Sequence, residues 1–249
     1  MAALVNRRRC YTGNSGGIDY SKRYFTIESL DDGNTISIEN VNFGSTYPTF
    51  YYSTDDGENW NSVIVAIDTT ENIATLDIGE KVIIKQNNSD RLSRSGDAYH
   101  VFTSSKNFKV YGNVMSLIRG DGFVSNPELP ITLWHFNCLF YNVTTLVDAG
   151  NLVFPFTKTQ DSCCKAMFRG CTNLINAPQL PAIKMSGNNS YADMFRDCTS
   201  LVSAPELPAT TLGNYCYNSM FKGCTSLTNI PLRLPATTSK QDCYNSMFR

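Results

Sequence analysis

The stretch STDDGENW, Ser53 to Trp60, concentrates oxygen ligands: Asp55, Asp56, Glu58 and Asn59 fall within five positions. Carboxylates at this density could hold Ca²⁺ or divide the acid and base roles of a bond cleavage. Neither chemistry fits the spacing. A Ca²⁺ loop sets its oxygen donors at alternating positions and closes on a bidentate carboxylate, and no second carboxylate can be assigned for acid–base work. His100 and His135 stand in no triad-like or zinc-like context. The nine cysteines include no Cys-x-x-Cys pair, and no Gly-rich phosphate loop occurs. The sequence therefore assigns no catalytic residue, no metal site and no cofactor.

The same octapeptide fits Ser-x-Asp-x-Gly-x-x-Trp, and so resembles the Asp box of sialidase-like propellers. There the motif recurs once per blade as a folding device: the Asp carboxylate accepts turn amides and the Trp packs beneath. Here it occurs once. The resemblance implies turn structure, with a glycan hydrolase as the alternative from the enzyme class.

A charge balance of −1 over 249 residues gives no reason to expect nucleic-acid binding. One local departure, Arg7, Arg8 and Arg9, marks a basic arm that could anchor the chain to an acidic partner. The N-terminus lacks the charge-then-apolar order of a secretory signal, and no apolar run approaches the roughly 20 residues of a membrane span. The expectation is a protein that is not inserted in a membrane and leaves a cell, if at all, without a signal peptide.

These residues sit on two contrasting patterns. After an arm over 1–22, residues 23–115 alternate with period two in YFTIESL, TISIENV, TFYYS, NSVIVAI, EKVIIK, AYHVFT and FKVYGNV. Such β-branched and aromatic runs predict an antiparallel β-sandwich. Two Asp-Asp-Gly turns, at 31–33 and 55–57, suit hairpins.

Beyond a connector over 116–135 the chain repeats itself. NCLFYNVTTLVDAGNLVFP, KAMFRGCTNLINAPQLPA, ADMFRDCTSLVSAPELPA and NSMFKGCTSLTNIPLRLPA align, with anchors at Leu139, Met167, Met194, Met220 and Met247 and steps of 28, 27, 26 and 27. Leucine columns run through Leu146, Leu174, Leu201 and Leu227, and through Leu152, Leu180, Leu207 and Leu234. That period predicts a leucine-rich-repeat solenoid over 136–249: a degenerate first unit, three full units and a partial last one. In each unit the Met-Phe half has helix-compatible spacing, and the half carrying Pro178, Pro205 or Pro231 is extended. Leu174, Ala177, Leu180 and their equivalents then point inward. Asn176, Gln179, Ser203, Glu206, Asn229 and Arg233 fall on the exposed strand face and are the candidate binding residues.

The cysteines fall in columns as well. Cys171, Cys198 and Cys224 share one position, and Cys163, Cys216 and Cys243 another, where one unit substitutes Ser190. A position that tolerates Ser or Val reads as a small buried filler, so free thiols are expected over disulfides. The terminal CYNSMFR, 243–249, restates CYNSMFK, 216–222. Its Met247 and Phe248 belong to interior columns, and the expectation is that further repeats follow.

The motif MFxxCTSLxxAPxLPATT resembles the treponemal-type (BspA-like) leucine-rich repeats found in proteins of gut Bacteroidetes and their phages. The likeness covers about residues 113–249, including the lead-in GNVMSLIRGDGF. Family members are surface adhesins and, in phage genomes, structural or fibre-like virion proteins. Without a signal peptide, the resemblance implies a non-enzymatic virion component present in several copies, as a homo-oligomer or singly. It would be held to other virion proteins through residues 1–115 and would present its repeats to a host surface protein or glycan. A bacterial cell-surface adhesin is the alternative.

Overall fold

A computed structural model describes residues 18–44, 48–87, 91–231 and 233–249. Arg7, Arg8 and Arg9 lie outside them. The chain is mainly β, with one short α-helix, α1, at Ser116–Arg119. All seven alternating runs form strands: β1 (Phe25–Ser29), β2 (Asn34–Val41), β3 (Thr49–Ser53), β4 (Asn61–Ile64), β6 (Lys81–Gln86), β8 (Ala98–Ser104) and β9 (Phe108–Asn113). Two more, β5 (Thr70–Leu76) and β7 (Ser93–Ser95), escape the sequence pattern, β5 because its TENIATL buries only two residues.

The strands divide between two sheets. One has the order β10-β9-β1-β6-β3-β4, where β10 is Leu146–Val153, and the other the order β5-β2-β8-β7. Apolar faces of both meet in one core: Phe25 of β1 lies 5.2 Å from Phe102 of β8, ring centroid to centroid, and Phe50 of β3 lies 6.0 Å from it. The turn at 55–57 closes the β3–β4 hairpin as expected. The turn at 31–33 does not make a hairpin, because β1 and β2 belong to different sheets. It is a corner between them, fastened by its own carboxylates. Asp31 accepts from the Asn107 amide at 3.0 Å, and Asp32 from the Ile78 amide at 3.0 Å.

β10 belongs to the degenerate first repeat, yet it pairs in parallel with β9. The front sheet therefore continues into the repeats without a break. Phe140 carries the core across the same seam, 6.2 Å from Phe25 and 5.4 Å from Phe168.

The Met-Phe half of each unit is not helical. It is a ribbon of turns in which every fourth residue takes a left-handed φ, as at Ser162 (52°), Ala166 (53°) and Gly170 (76°). Alternate amides, those of Cys163, Lys165, Met167, Arg169 and Cys171, donate three residues back within the unit. The amides between them, of Ser162, Cys164, Ala166, Phe168 and Gly170, donate to Asn188, Ser190, Ala192, Met194 and Arg196 of the next unit. The two units that follow do the same. A four-residue period buries the same positions that a 3.6-residue helix would, which is why the sequence reads as helical. The backbone instead spends half its donors between units, satisfying groups that would otherwise be buried unpaired.

On another side of each unit, β11 (Lys158–Thr159), β12 (Lys184–Met185) and β13 (Thr211–Leu212) form a parallel three-stranded sheet. Leu174, Leu180, Leu201 and Leu207 are buried and Ala177 is half-buried. Leu234 and Ile230 are exposed, since no further unit covers that side of the fourth one.

Candidate binding surface

The extended halves are not strands but a row of single parallel bridges: Asp148 to Asn176, Asn176 to Ser203, and Ser203 to Asn229. Prolines at 178, 205 and 231 remove the amides that would lengthen the pairing. Three of the six candidate residues thus stand in one exposed column. Its side chains bond across units: Asn176 Nδ2 donates to Asp148 Oδ2 at 2.9 Å, and Asn229 Nδ2 to Ser203 Oγ at 3.0 Å. Gln179, Glu206 and Arg233 are exposed too, the first two directly after Pro178 and Pro205 and the third two positions after Pro231. Asp148, the foot of the column, is not among the six, although it follows Leu146 by two positions as Asn176 follows Leu174, so the leucine period was the signal that could have found it.

Beside this column runs a shallow groove of about 470 Å³, lined by Val147, Ile175 and Val202 with Asn107, Asn173, Ser200 and Ser226. Ile175 and Val202 are 44% and 41% exposed, an unusual setting for β-branched side chains and a mild incentive to be covered. The surface offers amides, hydroxyls and small apolar patches at unit-spaced intervals.

The STDDGENW turn spends its oxygens on itself. Ser53 Oγ donates to Asp55 Oδ1 at 2.5 Å, the Asn59 amide donates to the same oxygen at 2.9 Å, and Asn59 Nδ2 donates to Oδ2 at 2.7 Å. The Ser53 bond first, then those from Asn59, hold the Asp55 carboxyl down at about 2. Asp56 pairs with Lys81 at 2.7 Å. Trp60 lies beneath, its ring 4.0 Å from Lys85 Nζ, and Lys85 reaches Asp121 at 2.7 Å. Among the described residues no cluster of three or more His, Cys, Asp or Glu side chains is arranged for a metal ion.

The two histidines are buried. His100 Nδ1 donates to the Leu92 carbonyl at 3.1 Å beside Phe43 and Phe50, and His135 Nε2 to the Pro130 carbonyl at 3.1 Å. Burial pushes both down to about 4. The eight described cysteines are free. Cys171, Cys198 and Cys224 each donate their thiol to a carbonyl of the preceding unit, on Phe140, Phe168 and Phe195, at 3.0 Å. Comparison with family models, curated proteins and solved structures finds no match.

Proposed function

We propose that this chain is a non-enzymatic display protein, in which residues 136–249 form a leucine-rich-repeat solenoid carried on a front β-sandwich. The observation that carries the reading is the column Asp148, Asn176, Ser203 and Asn229, which repeats one polar position at every unit on an exposed face. Regular repetition on a rigid support favours recognition by many weak contacts, multiplied by copy number. The likeness of MFxxCTSLxxAPxLPATT to phage and host repeats places the protein, on this proposal, in a virion, held through residues 1–115 and presenting the repeats to a host protein or glycan. The fold alone does not specify that role.

Mass spectrometry of purified virions tests it. Peptides of this chain are expected in the particles. Their absence there, with presence in outer-membrane fractions, would transfer the reading to a bacterial adhesin. Purified protein should also bind host cells, and the Ser203→Ala, Asn229→Ala double variant should bind them less.

A further inference from the structure

A second concavity lies on the front sheet, away from the groove. Strands β6, β1, β9 and β10 run side by side, and their register sets Lys81, Glu28, Lys109 and Asp148 across from one another in a single row. The charges alternate along it. Lys109 Nζ pairs with Glu28 Oε1 at 2.8 Å, while Lys81 turns away to Asp56. The Asp148 carboxylate accepts from the Gly150 amide at 2.7 Å and from Asn176 Nδ2 at 2.9 Å.

Two residues further along β9, Tyr111 stands across from Asn151 of β10. A 3-10 turn at Tyr20–Lys22 lays Tyr20 against Tyr111, with ring centroids 5.3 Å apart and planes at 66°. Arg23 follows that turn and completes a pocket of about 370 Å³. Of its three basic residues, Lys81 and Lys109 have carboxylate partners, and Arg23 has none among the described residues. Asp56, outside the lining, balances Lys81, and Glu28 balances Lys109, so Arg23 is the lining cation with no direct counter-ion among the described residues.

We propose that this pocket binds a carboxylated saccharide, a hexuronate or sialate residue, whose carboxylate pairs with the Arg23 guanidinium while Tyr20 and Tyr111 pack on the sugar's C–H face. Asn151 and Asp148 are then placed for ring hydroxyls. Each part of the assignment has a reason. A guanidinium presents a planar fork that matches a carboxylate in two parallel hydrogen bonds. A neutral sugar would leave Arg23 unused. A dianionic phosphate would bring a second negative charge up against Glu28 and Asp148. Burial, followed by the charge and hydrogen bond of Glu28, pushes the Tyr111 phenol up. The volume falls within the roughly 300–1,000 Å³ of small-ligand sites. Nothing here depends on the role proposed for the repeat face, since the pocket's aromatic and cationic residues lie outside the repeats.

Calorimetric titration of the full chain with sialyllactose and with digalacturonate tests the assignment, with lactose and lactose sulfate as comparisons. At least one carboxylated probe is expected to bind with a dissociation constant of about 1 mM or tighter, and lactose about tenfold more weakly or not at all. Arg23→Gln should weaken binding about tenfold or more, since it removes the charged fork. Arg23 is exposed, so the variant folds, and an unchanged melting temperature verifies it. Tyr20→Ala should also weaken binding, whereas Lys158→Gln, an exposed change on β11 outside the pocket lining, should leave it unchanged. The proposal is overturned if neither carboxylated probe binds by about 20 mM. Equal binding of lactose, tighter binding of lactose sulfate, or indifference to Arg23→Gln would also overturn it.

Discussion

Phe168 and Phe195 stack face to face across successive units, with ring centroids 5.4 Å apart and planes 2° from parallel. Phe140, Phe221 and Phe248 extend the same column, at 5.4, 5.6 and 5.4 Å between neighbours. These separations exceed the roughly 4.8 Å between paired backbones, so the rings must slide sideways, the offset geometry that aromatic quadrupoles favour. An interior ring has two such neighbours, while Phe248 has one and is 45% exposed.

Truncating the column should therefore cost according to position. Phe195→Ala should destabilise the protein by about 3–5 kcal/mol. Phe248→Ala should cost about 1 kcal/mol or less. Chemical denaturation measures both, and equal losses would show that the stacking is not what the interior ring contributes.

Asp55 has a titration signature of its own. Its folded value lies below the ordinary carboxylate value of 3.8, at about 2, so its turn bonds hold above 3.8 and are lost as pH falls through about 2. The Asn59 amide proton, which donates to Asp55, should shift in NMR spectra with a midpoint near 2. A midpoint near the ordinary carboxylate value would mean that the turn does not hold the charge.

The histidines work in the opposite pH range. Each is neutral in the fold down to about 4, against 6.5 when free, so the unfolded chain binds more protons between those values. Stability should be full above pH 6.5 and fall as pH drops toward 4, by roughly 3 kcal/mol per histidine at most. His100→Phe should flatten the fall by about half. The Leu92 carbonyl keeps a partner in that variant, since it also accepts the His100 amide at 2.9 Å. An unchanged pH profile would remove His100 as a contributor.

Thiol chemistry at the eight described cysteines should be slow in the folded protein. Burial raises Cys138, Cys216 and Cys224 to about 12, and raises Cys164, Cys171 and Cys198 as well. Of the eight described cysteines only Cys224 is other than buried. Iodoacetamide at pH 8, read by peptide mass mapping, should modify Cys224 first and the other seven only after unfolding. Rapid labelling of Cys171 or Cys198 would contradict the packing.

Backbones of neighbouring units touch at Gly187. A methyl group there would fall inside the van der Waals shell of the Gln160 carbonyl carbon and the Asp161 nitrogen, atoms that cannot move independently. Gly187→Ala should cost about 3 kcal/mol or more. Gly79→Ala, with open space around it but a φ of +82°, should cost about 1 kcal/mol. Thermal denaturation separates the two, and comparable losses would mean that unit spacing is set elsewhere.

Different parts of this architecture were legible to different degrees. The steps of 26 to 28 residues are plain in the chain because each unit must offer the same side chains to its neighbours. Seven strands of the front are plain because alternation survives wherever one face is buried. The ribbon of turns is not, since left-handed residues such as Ala166 and Tyr215 are poor advertisements for positive φ. Neither is the front pocket. Tyr20, Arg23, Tyr111 and Asn151 lie up to 131 positions apart, and only the order β6-β1-β9-β10 makes them neighbours. On the repeat face, Asn176, Ser203 and Asn229 could be picked out from the period. Asp148 could have been too, since it follows Leu146 by the same two positions, but the first unit lacks the proline that marks this half in the others.

Along the ribbon of turns every rung between units is donated the same way, from the earlier amide to the later carbonyl, whereas the extended side also carries bonds in the reverse direction, as from the Ile175 amide to the Val147 carbonyl. The stack consequently has a polarity, like a filament whose two ends grow differently. β9 offers the first template, β10 copies it, and each later unit is laid on a surface already in place. Removing one period from the middle would shorten the reach by about 4.8 Å and leave both ends chemically as they were. Length can thus change in whole steps, each of which adds or removes one position of the exposed column.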